Sequence, residues 1–389
     1  MARVLRRRRA ALICDSGSAG GFSIGQGHLS RCRAFAAHLK ALGWDVSLLE
    51  LCISEPESPV SACAAVPTKA GHRRCFMGLA ELRVLSFCEL PEFQSEEPEL
   101  LLIDSYQLPC AFYESCIRKF PFCGYLAVDD FERFPAYPPE FFVLQATLPP
   151  VAERPRHLQG LEYQVLRPEF ERSYRTSLLP GETHGVGEGP YGLLVPGSAF
   201  SYAEVRAMAV ALPGYFEKHS GATPMRWERP MRWERPMRWE RPMRWERPMR
   251  WVVLLSARHH PQQEKGLDEA GIYRQDEGRL VFLGGLPATA LRSLYSDAEL
   301  LFCAAGQSLL EVLAVGHERL GILLTADNQL PLLERYGLPY ADLRGENGRT
   351  GFPAGISEIS APLSDDAGDW GKVLGDGLAV RRILQRMGL

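Results

Sequence analysis

Short apolar runs alternate with longer amphipathic stretches along most of this chain. In the first half, runs with the length of buried strands occur at Ala10–Cys14, Val46–Leu49, Leu100–Ile103, Tyr125–Val128 and Phe141–Leu144. Between the first two runs, apolar residues recur every three or four positions from Leu29 to Leu42, which is the spacing of an amphipathic helix. The chain therefore opens with a predicted strand, helix and strand, a unit typical of parallel sheets.

The same alternation starts again after about residue 185. Further strands are predicted at Tyr191–Val195, Val252–Ser256, Leu280–Leu283, Glu299–Cys303 and Leu320–Leu324, and helices at Tyr202–Lys218, Pro287–Ser296, Gln307–Val315 and Pro331–Tyr336. Two such series in 389 residues predict an α/β protein with two doubly wound, Rossmann-like domains. We place them at residues 1–180 and 181–389 and expect a ligand in the cleft between them.

A six-residue repeat interrupts the second series. Met-Arg-Trp-Glu-Arg-Pro occurs four times over residues 225–248, and a partial copy extends the insertion to residue 251. Proline at every sixth position excludes a regular helix, and removing 225–248 rejoins a helix directly to a strand. We interpret the repeat as a duplicated surface loop, because lengthening a loop costs little free energy. The alternative is an adhesive arm of Trp and Arg side chains.

The composition narrows the class of protein. Lys and Arg number 44 against 47 Asp and Glu, a net charge of −3, which excludes a generally basic nucleic-acid-binding protein. No apolar run approaches the roughly 18 residues that span a bilayer, and the run after the amino-terminal arginines is too short for a signal peptide. The ten cysteines form no Cys-x-x-Cys pair, so we expect free thiols, no structural metal and a cytoplasmic protein.

The first candidate for chemistry is a histidine after two glycines. Gly25 and Gly27 permit a tight turn beyond the first strand, and His28 follows where the helix begins. Ligands of open α/β sheets bind beyond the strand ends, so this placement nominates His28 as a general base rather than a histidine bonded to backbone. Arg31 lies one turn later, either as a phosphate contact or as a solvated helix residue.

A second candidate site follows a strand of the second domain. Gly306, Gln307 and Ser308 begin a helix whose free amides suit a diphosphate, and Glu311, one turn later, suits a ribose diol. Other polar residues follow strand ends, where they are site residues or turn formers; these are Asp104, Tyr106, Asp130, Asn328 and Gln329. Together these stretches predict a nucleotide-sugar site with the base in one domain and the nucleotide in the other.

These motifs, taken in order, resemble a known family. They are Ile24-Gly25-Gln26-Gly27-His28-x-x-Arg31-Cys32, Asp104-Ser105-Tyr106, Val128-Asp129-Asp130, Tyr163-x-x-Leu166-Arg167-Pro168-Glu169-Phe170, Ala305-Gly306-Gln307-Ser308-x-x-Glu311 and Asn328-Gln329. The set is similar to the UDP-sugar hydrolases of pseudaminic acid biosynthesis, relatives of the MurG-type glycosyltransferases with the GT-B fold, and it covers roughly residues 10–340.

The resemblance implies a GT-B fold and a reaction. A histidine at the position of His28 would activate water, which attacks the anomeric carbon while UDP leaves with inversion, without a metal or another cofactor. It implies that Asp15 and His28 are catalytic. The implied substrate contacts are Gly25, Gly27, Arg31, Asp104, Tyr106, Asp130, Gly306, Gln307, Ser308, Glu311, Asn328 and Gln329.

Two departures and two alternatives accompany this hypothesis. The loop between Asp15 and Ile24 is longer than in the family, which leaves open whether Asp15 reaches the site, and Pro196-Gly197-Ser198 replaces a glycine-rich turn. The first alternative is a GT-B glycosyltransferase in which His28 deprotonates an acceptor hydroxyl. The second is a non-catalytic nucleotide-sugar-binding protein. The expected partner is a UDP-sugar, without nucleic acid or stable membrane insertion; protein partners are not predicted.

Overall fold

The computed structural model describes most of both domains. The described residues are 7–19, 22–24, 27–53, 66–69, 72–77, 85, 97–130, 132–134, 136–146, 154–174, 186, 189–197, 200–219, 250–255, 272–275, 280–317, 319–344 and 372–389. The repeat at 225–248 and residues Gly25 and Gln26 of the predicted histidine motif lie outside them.

Nine strands and two helices of the described residues form the first domain. In chain order they are β1 (Arg9–Ala19), β2 (Phe22–Ile24), α1 (Gly27–Ala41), β3 (Asp45–Ile53), β4 (Val66–Lys69), β5 (His72–Met77), β6 (Leu100–Asp104), α2 (Cys110–Lys119), β7 (Gly124–Val128), β8 (Phe141–Leu144) and β9 (His157–Leu158). The sheet order is β4-β5-β3-β1-β6-β7-β8-β9, with β2 beside β1. Only β2 and β4 run antiparallel to their neighbours in this described part.

The second domain repeats this architecture. Its described elements are β10 (Tyr191–Val195), α3 (Tyr202–His219), β11 (Arg250–Leu255), β12 (Ile272–Gln275), β13 (Leu280–Gly284), α4 (Ala288–Asp297), β14 (Leu300–Ala304), α5 (Gln307–Val315), β15 (Leu320–Leu324), α6 (Leu330–Arg335), β16 (Ala341–Asp342) and α7 (Ala379–Met387). The sheet order is β12-β13-β11-β10-β14-β15-β16. Both sheets are mostly parallel, which confirms the predicted α/β class with two Rossmann-like units.

Apolar side chains cover both faces of the first sheet. Leu29, Phe35 and Leu39 of α1 pack on one face. Phe112 and Cys116 of α2 pack on the other. A sheet buried on both faces explains why its strands are continuous apolar runs rather than alternating ones. This arrangement places the start of α1 beside the carboxyl ends of the central strands, because a helix that follows a parallel strand runs back along it.

The last helix returns to the first domain. Val380, Ile383 and Leu384 of α7 are buried in the same core as α1. The sequence analysis assigns residues 181–389 to the second domain, because a short helix at the chain end carries no signal for the surface it covers. The segment that connects the domains also contacts the residues just before α7, since Arg172 N donates to Gly375 O at 2.7 Å.

The long loop after Asp15 is a β-hairpin. β1 continues to Ala19 and pairs antiparallel with β2, with Gly17 opposite Ile24 and Ala19 opposite Phe22. Asp15 itself stays in the parallel part of β1, in register with Leu51 of β3. The residues after Asp15 therefore extend β1 into the hairpin, while Asp15 keeps a parallel partner in β3.

The cysteines depart from the expectation of free thiols at one position. Cys75, on β5, is disulfide-bonded. Described cysteines that are free are Cys14, Cys32, Cys52, Cys110, Cys116, Cys123 and Cys303. In the part of the chain that the structure describes, no helix is both long and apolar enough to cross a membrane.

Candidate functional site

Six predicted site residues of the first domain lie together at the carboxyl ends of β1, β6 and β7. This histidine cluster consists of Asp15, His28, Arg31, Asp104, Tyr106 and Asp130. Parallel strands β1, β6 and β7 are neighbours, so residues that follow their carboxyl ends meet at one edge of the sheet. The pattern of polar residues after strand ends was therefore a valid signal for proximity.

His28 is oriented by Asp104. Its Nδ1 lies 2.5 Å from Asp104 Oδ1, and the side chains of both residues are buried. A carboxylate at Nδ1 fixes the tautomer and leaves Nε2 as the reactive nitrogen. Tyr106 packs edge-on against the imidazole, with ring centroids 4.2 Å apart. The ring of His28 is thereby fixed from two directions.

Arg31 joins two of the three carboxylates of the cluster. Its Nε and Nη2 donate to Asp104 at 2.7 and 2.9 Å, and its Nη1 donates to Asp130 at 3.0 Å. Tyr106 also donates its hydroxyl to Asp130, at 2.6 Å. These side chains therefore bind one another in this structure, and the substrate contacts expected of Arg31, Asp104, Tyr106 and Asp130 stay predictions.

The charges in the cluster shift its pKa values. Burial disfavours the charged carboxylate of Asp104, but Arg31 and His28 outweigh it and set the Asp104 pKa well below its usual range. Burial also disfavours the imidazolium of His28, yet Asp104 and Asp15 outweigh it and raise the His28 pKa above its usual value. Deprotonated His28 is therefore reached at a higher pH than in an isolated histidine.

Asp15 reaches the histidine. Its Oδ2 accepts hydrogen bonds from Ser105 Oγ at 2.6 Å and from Tyr106 N at 3.0 Å. Among the described residues its Oδ1 is buried without a hydrogen-bond partner, and it lies 3.8 Å from His28 Nε2. Burial raises the pKa of Asp15, although nearby His28 opposes this shift. Two polar atoms thus lie 3.8 Å apart without a hydrogen bond between them.

Of the two glycines in the opening motif, the structure describes only Gly27. Gly27 is the first residue of α1, and a Cβ placed on it would meet no atom within 4 Å. Packing therefore does not require glycine at this position. Gly25 lies outside the described residues.

In the second domain, the predicted anion site lies at the start of α5. Gly306 is the N-cap, and its amide donates to Ala304 O at 2.8 Å. The amides of Gln307 and Ser308 have no acceptor among the described residues, as expected for the first turn of a helix. The side chain of Gln307 bonds to the connecting segment, accepting from Gln164 Nε2 and donating to Val165 O, both at 3.3 Å. Ser308 interacts with the buried Tyr295.

Glu311 is buried and bound to Arg167 in this structure. Its side chain is 2 % exposed, and its two oxygens accept from Nε and Nη2 of Arg167 at 2.7 Å each. Burial raises the Glu311 pKa, against the effect of Arg167. A ribose contact by Glu311 stays a prediction, and it would require this pair to open. The partner arises from the Arg167-Pro168-Glu169-Phe170 motif, and sequence alone gave no sign that the two motifs meet.

Gln329 lies near the same turn, where it shapes the backbone. Its Oε1 accepts from Thr325 N at 2.8 Å and from Ala326 N at 3.3 Å. Its Nε2 lies 3.8 Å from where a Cβ on Gly306 would be. Asn328 belongs to the 3₁₀ turn Asp327–Gln329, and its side chain is outside the described part. No contact among the described residues joins this second-domain group directly to the histidine cluster.

The sequence analysis missed a layer of side chains behind the cluster. Arg133 Nη2 donates to the hydroxyls of Tyr113 at 2.8 Å and Tyr137 at 3.0 Å, and its guanidinium lies 5.8 Å from the Tyr106 ring centroid. Tyr137 donates to Asp129 at 2.8 Å. Asp129 belongs to the Val128-Asp129-Asp130 motif, but the sequence pattern does not connect it with Arg133 or Tyr137. Among the described residues, no group of three potential ligands is arranged to bind a metal ion.

No protein-family model matches this sequence, and a search among curated proteins finds no match. Among solved structures, the chain is similar to a UDP-glucosyltransferase from Polygonum tinctorium, at 11% identity and a TM-score of 0.50 over 98% of this chain and 99% of that one. It is also similar to the spinosyn rhamnosyltransferase SpnG in complex with thymidine diphosphate, at 12% identity and 0.47 over 97% and 96%. A third is the glycosyltransferase SnogD from Streptomyces nogalater, at 13% and 0.45 over 98% and 95%.

These likenesses are of fold. Together with the two mostly parallel sheets, the likeness to the Polygonum tinctorium enzyme shows that the chain has the GT-B fold. A fold does not determine an activity, so the activity of this chain is argued from its own residues.

Proposed function

We propose that the protein cleaves the glycosidic bond of a UDP-linked amino-deoxy sugar with water, with His28 as the general base. The observation that carries the proposal is the pair of polar atoms at 3.8 Å, His28 Nε2 and Asp15 Oδ1, with Asp104 at His28 Nδ1. Because each hydrogen bond spans about 2.8 Å, one water oxygen can contact both atoms at once. The water would donate one hydrogen bond to Asp15 Oδ1 and the other to His28 Nε2, which then takes that proton.

The proposed step is a single inverting displacement. His28 Nε2 takes a proton from water as the water oxygen forms a bond to the anomeric carbon. The bond from that carbon to the phosphate oxygen breaks, and its electron pair leaves with UDP. Asp104 stabilises the imidazolium that forms, because the carboxylate stays ionised under the influence of Arg31. A positioned base of this kind contributes roughly 10²–10⁴ in rate.

The nucleotide is proposed to bind at the start of α5. The amides of Gln307 and Ser308 and the positive end of the helix dipole suit a diphosphate. This assignment omits Glu311, whose carboxylate is bound to Arg167. Asn328 and Gln329, at the turn after β15, are the remaining candidates for contacts to the nucleotide.

The same geometry would serve a sugar acceptor in place of water. An acceptor hydroxyl between His28 and Asp15 would lose its proton in the same way, which makes the protein a glycosyltransferase. The UDP-glucosyltransferase from Polygonum tinctorium, which can glucosylate indoxyl, catalyses a reaction of this kind. The position of His28 is compatible with both hydrolysis and sugar transfer, so an experiment is needed to distinguish the two reactions.

The experiment supplies UDP-sugars without an acceptor and follows UDP and free sugar by NMR. Release of both supports the hydrolase, binding without release supports the transferase or the non-catalytic protein, and absence of binding excludes nucleotide-sugar chemistry. His28→Asn should lower release by about 10²–10⁴ while UDP binding, measured by calorimetry, stays unchanged. Arg33→Gln is the control, since Arg33 is exposed on the same helix. Release by His28→Asn at the wild-type rate would disprove the role of His28.

A further inference from the structure

A cavity of about 360 Å³ lies in the first domain, apart from the histidine cluster. One wall is the segment after β7, which includes Phe134, Tyr137 and Pro138, and the other is β8 with residues 154–157. This volume is at the lower end of the range for small-molecule sites, which suits a single ring better than a nucleotide sugar.

One polar group deep in the cavity is only half satisfied. Gln145 is 1% exposed, and its Oε1 accepts from His157 Nδ1 at 2.7 Å and from Gln159 Nε2 at 2.9 Å. Its Nε2 has no partner among the described residues. Gln145 Nε2 is not one of the fully buried polar atoms that lack a partner in the described part, so it reaches the open space of the cavity. The amide therefore offers a donor to whatever occupies the cavity.

The neighbouring groups make the cavity close to neutral. Glu132 is paired with Arg154 at 3.0 Å, and Asp129 accepts from Tyr137 at 2.8 Å. Burial lowers the pKa of His157, so the imidazole is neutral near pH 7. With Nδ1 donating to Gln145, its Nε2 is a hydrogen-bond acceptor. The polar lining thus combines donors and acceptors without a strong net charge.

Aromatic and proline side chains form one wall of the cavity. Phe134 and Tyr137 pack edge to face with ring centroids 5.0 Å apart, beside Pro138 and Pro139. Glu132, at the start of this wall, has a left-handed backbone with φ 53°. Such strain in a residue other than glycine clusters at ligand sites. Aromatic walls beside an amide and an imidazole suit a ring that is polar at its edge and apolar on its faces.

We infer that this cavity binds a monosaccharide ring, with Gln145 and His157 hydrogen-bonded to its hydroxyl groups. The site is separate from the proposed nucleotide site, so the inference stands whether or not the protein turns over UDP-sugars. If both hold, the first domain carries a carbohydrate site in addition to the one beside His28.

The test uses glucose, galactose and N-acetylglucosamine as probes in saturation-transfer NMR with the full chain. At least one should bind with Kd on the order of 1 mM, since a ligand of about twelve heavy atoms at ordinary efficiency binds no tighter. Ala136→Trp, at an exposed residue that lines the cavity, should weaken binding at least about tenfold by filling it. Gln145→Met, which removes the donor at similar volume, should do so too.

Two controls make the outcome decisive. Lys119→Trp adds the same side chain at an exposed position of α2, away from the cavity, and should bind as the wild type does. Saturating UDP and His28→Asn should also leave the signal unchanged. The inference is overturned if no probe binds at 20-fold above that Kd, if Ala136→Trp binds normally, or if UDP displaces the sugar.

Discussion

At the scale of single residues, Asp104 determines the charge state of the histidine cluster. It accepts from His28 and twice from Arg31, and it is 0% exposed. The carboxylate stabilises positive charge on the imidazole, so a base at His28 depends on it without Asp104 touching a substrate. We therefore propose Asp104 as a positioning residue, and the substrate contact that the resemblance implies stays a prediction.

Replacing Asp104 with Asn should change the pH profile of the reaction as well as its rate. The charge of Asp104 raises the His28 pKa, so in Asp104→Asn the acid limb of the rate should move to lower pH. The plateau should fall at least about tenfold, since each pKa unit of lost imidazolium stabilisation corresponds to about 1.4 kcal/mol. Rates of UDP release across pH 5–9 measure both effects. An acid limb at the wild-type pH would show that Asp104 does not act through His28.

The same pKa shift predicts how stability depends on pH. The His28 pKa is raised in the folded state, so its ion pair contributes stability that is complete below the unfolded pKa of about 6.5. That contribution is lost as pH rises through the folded pKa. Thermal unfolding midpoints of the wild type should therefore decrease over this window, and those of His28→Asn should decrease less. Parallel curves for the two proteins would contradict the shift.

At the scale of secondary-structure elements, the point in the fold at which the hexad repeat is inserted lies far from the proposed nucleotide site. α3 ends at His219 and β11 begins at Arg250, so residues 225–248 enter at the amino end of β11. The turn at Gly306 follows the carboxyl end of β14, and β11 and β14 both run parallel to β10. The insertion point is therefore at the amino ends of the parallel strands and the Gly306 turn at their carboxyl ends. A strand of five residues separates these ends by about 16 Å.

Deleting residues 225–248 should leave catalysis unchanged. The deletion keeps Met249 and the first two residues of β11, Arg250 and Trp251, and does not change the strand ends that carry the Gly306 turn. We expect kcat/KM for a UDP-sugar within about twofold of the wild type, since additional loop residues cost little free energy. Steady-state kinetics and light scattering of both proteins provide the measurement. A tenfold loss of activity would instead assign the repeat a role in the reaction.

The pattern of apolar residues predicts elements well only where they are long and buried. Ten of the strands coincide with predicted apolar runs, whereas β4, β9, β12 and β16, with two to four residues, and β5, with six, were not predicted. The hairpin of β1 and β2 was also missed, because Gly17, Ser18 and Ala19 lack the alternation of a strand. Edge strands and hairpins take their pairing from neighbours, which a local pattern does not contain.

At the scale of the whole molecule, the segment between the domains contacts both of them. His38 of α1 bonds to Leu166 O at 2.9 Å, and Arg167 binds Glu311 of α5. Arg292 of α4 donates to Glu171 O at 2.7 Å. A sequence shows each of these residues but not the pairs they form, since the partners are 121 to 144 positions apart. The proposed site of the second domain is thus supported by a segment that the sequence shows as a motif without showing its contacts.

The Arg167–Glu311 pair offers a test that separates a structural role of Glu311 from ribose binding. Removing one partner of a buried ion pair leaves an uncompensated charge and costs about 3–5 kcal/mol, whereas replacing both with apolar residues is often neutral. Arg167→Met should therefore destabilise the protein strongly, and Arg167→Met with Glu311→Met should recover most of that loss in urea unfolding. The affinity of the double variant for UDP, measured by calorimetry, should match that of the wild type because the proposed nucleotide site omits Glu311. If instead stability recovers but UDP affinity falls tenfold or more, Glu311 contacts the nucleotide after all, and the ion pair must open when the ligand binds.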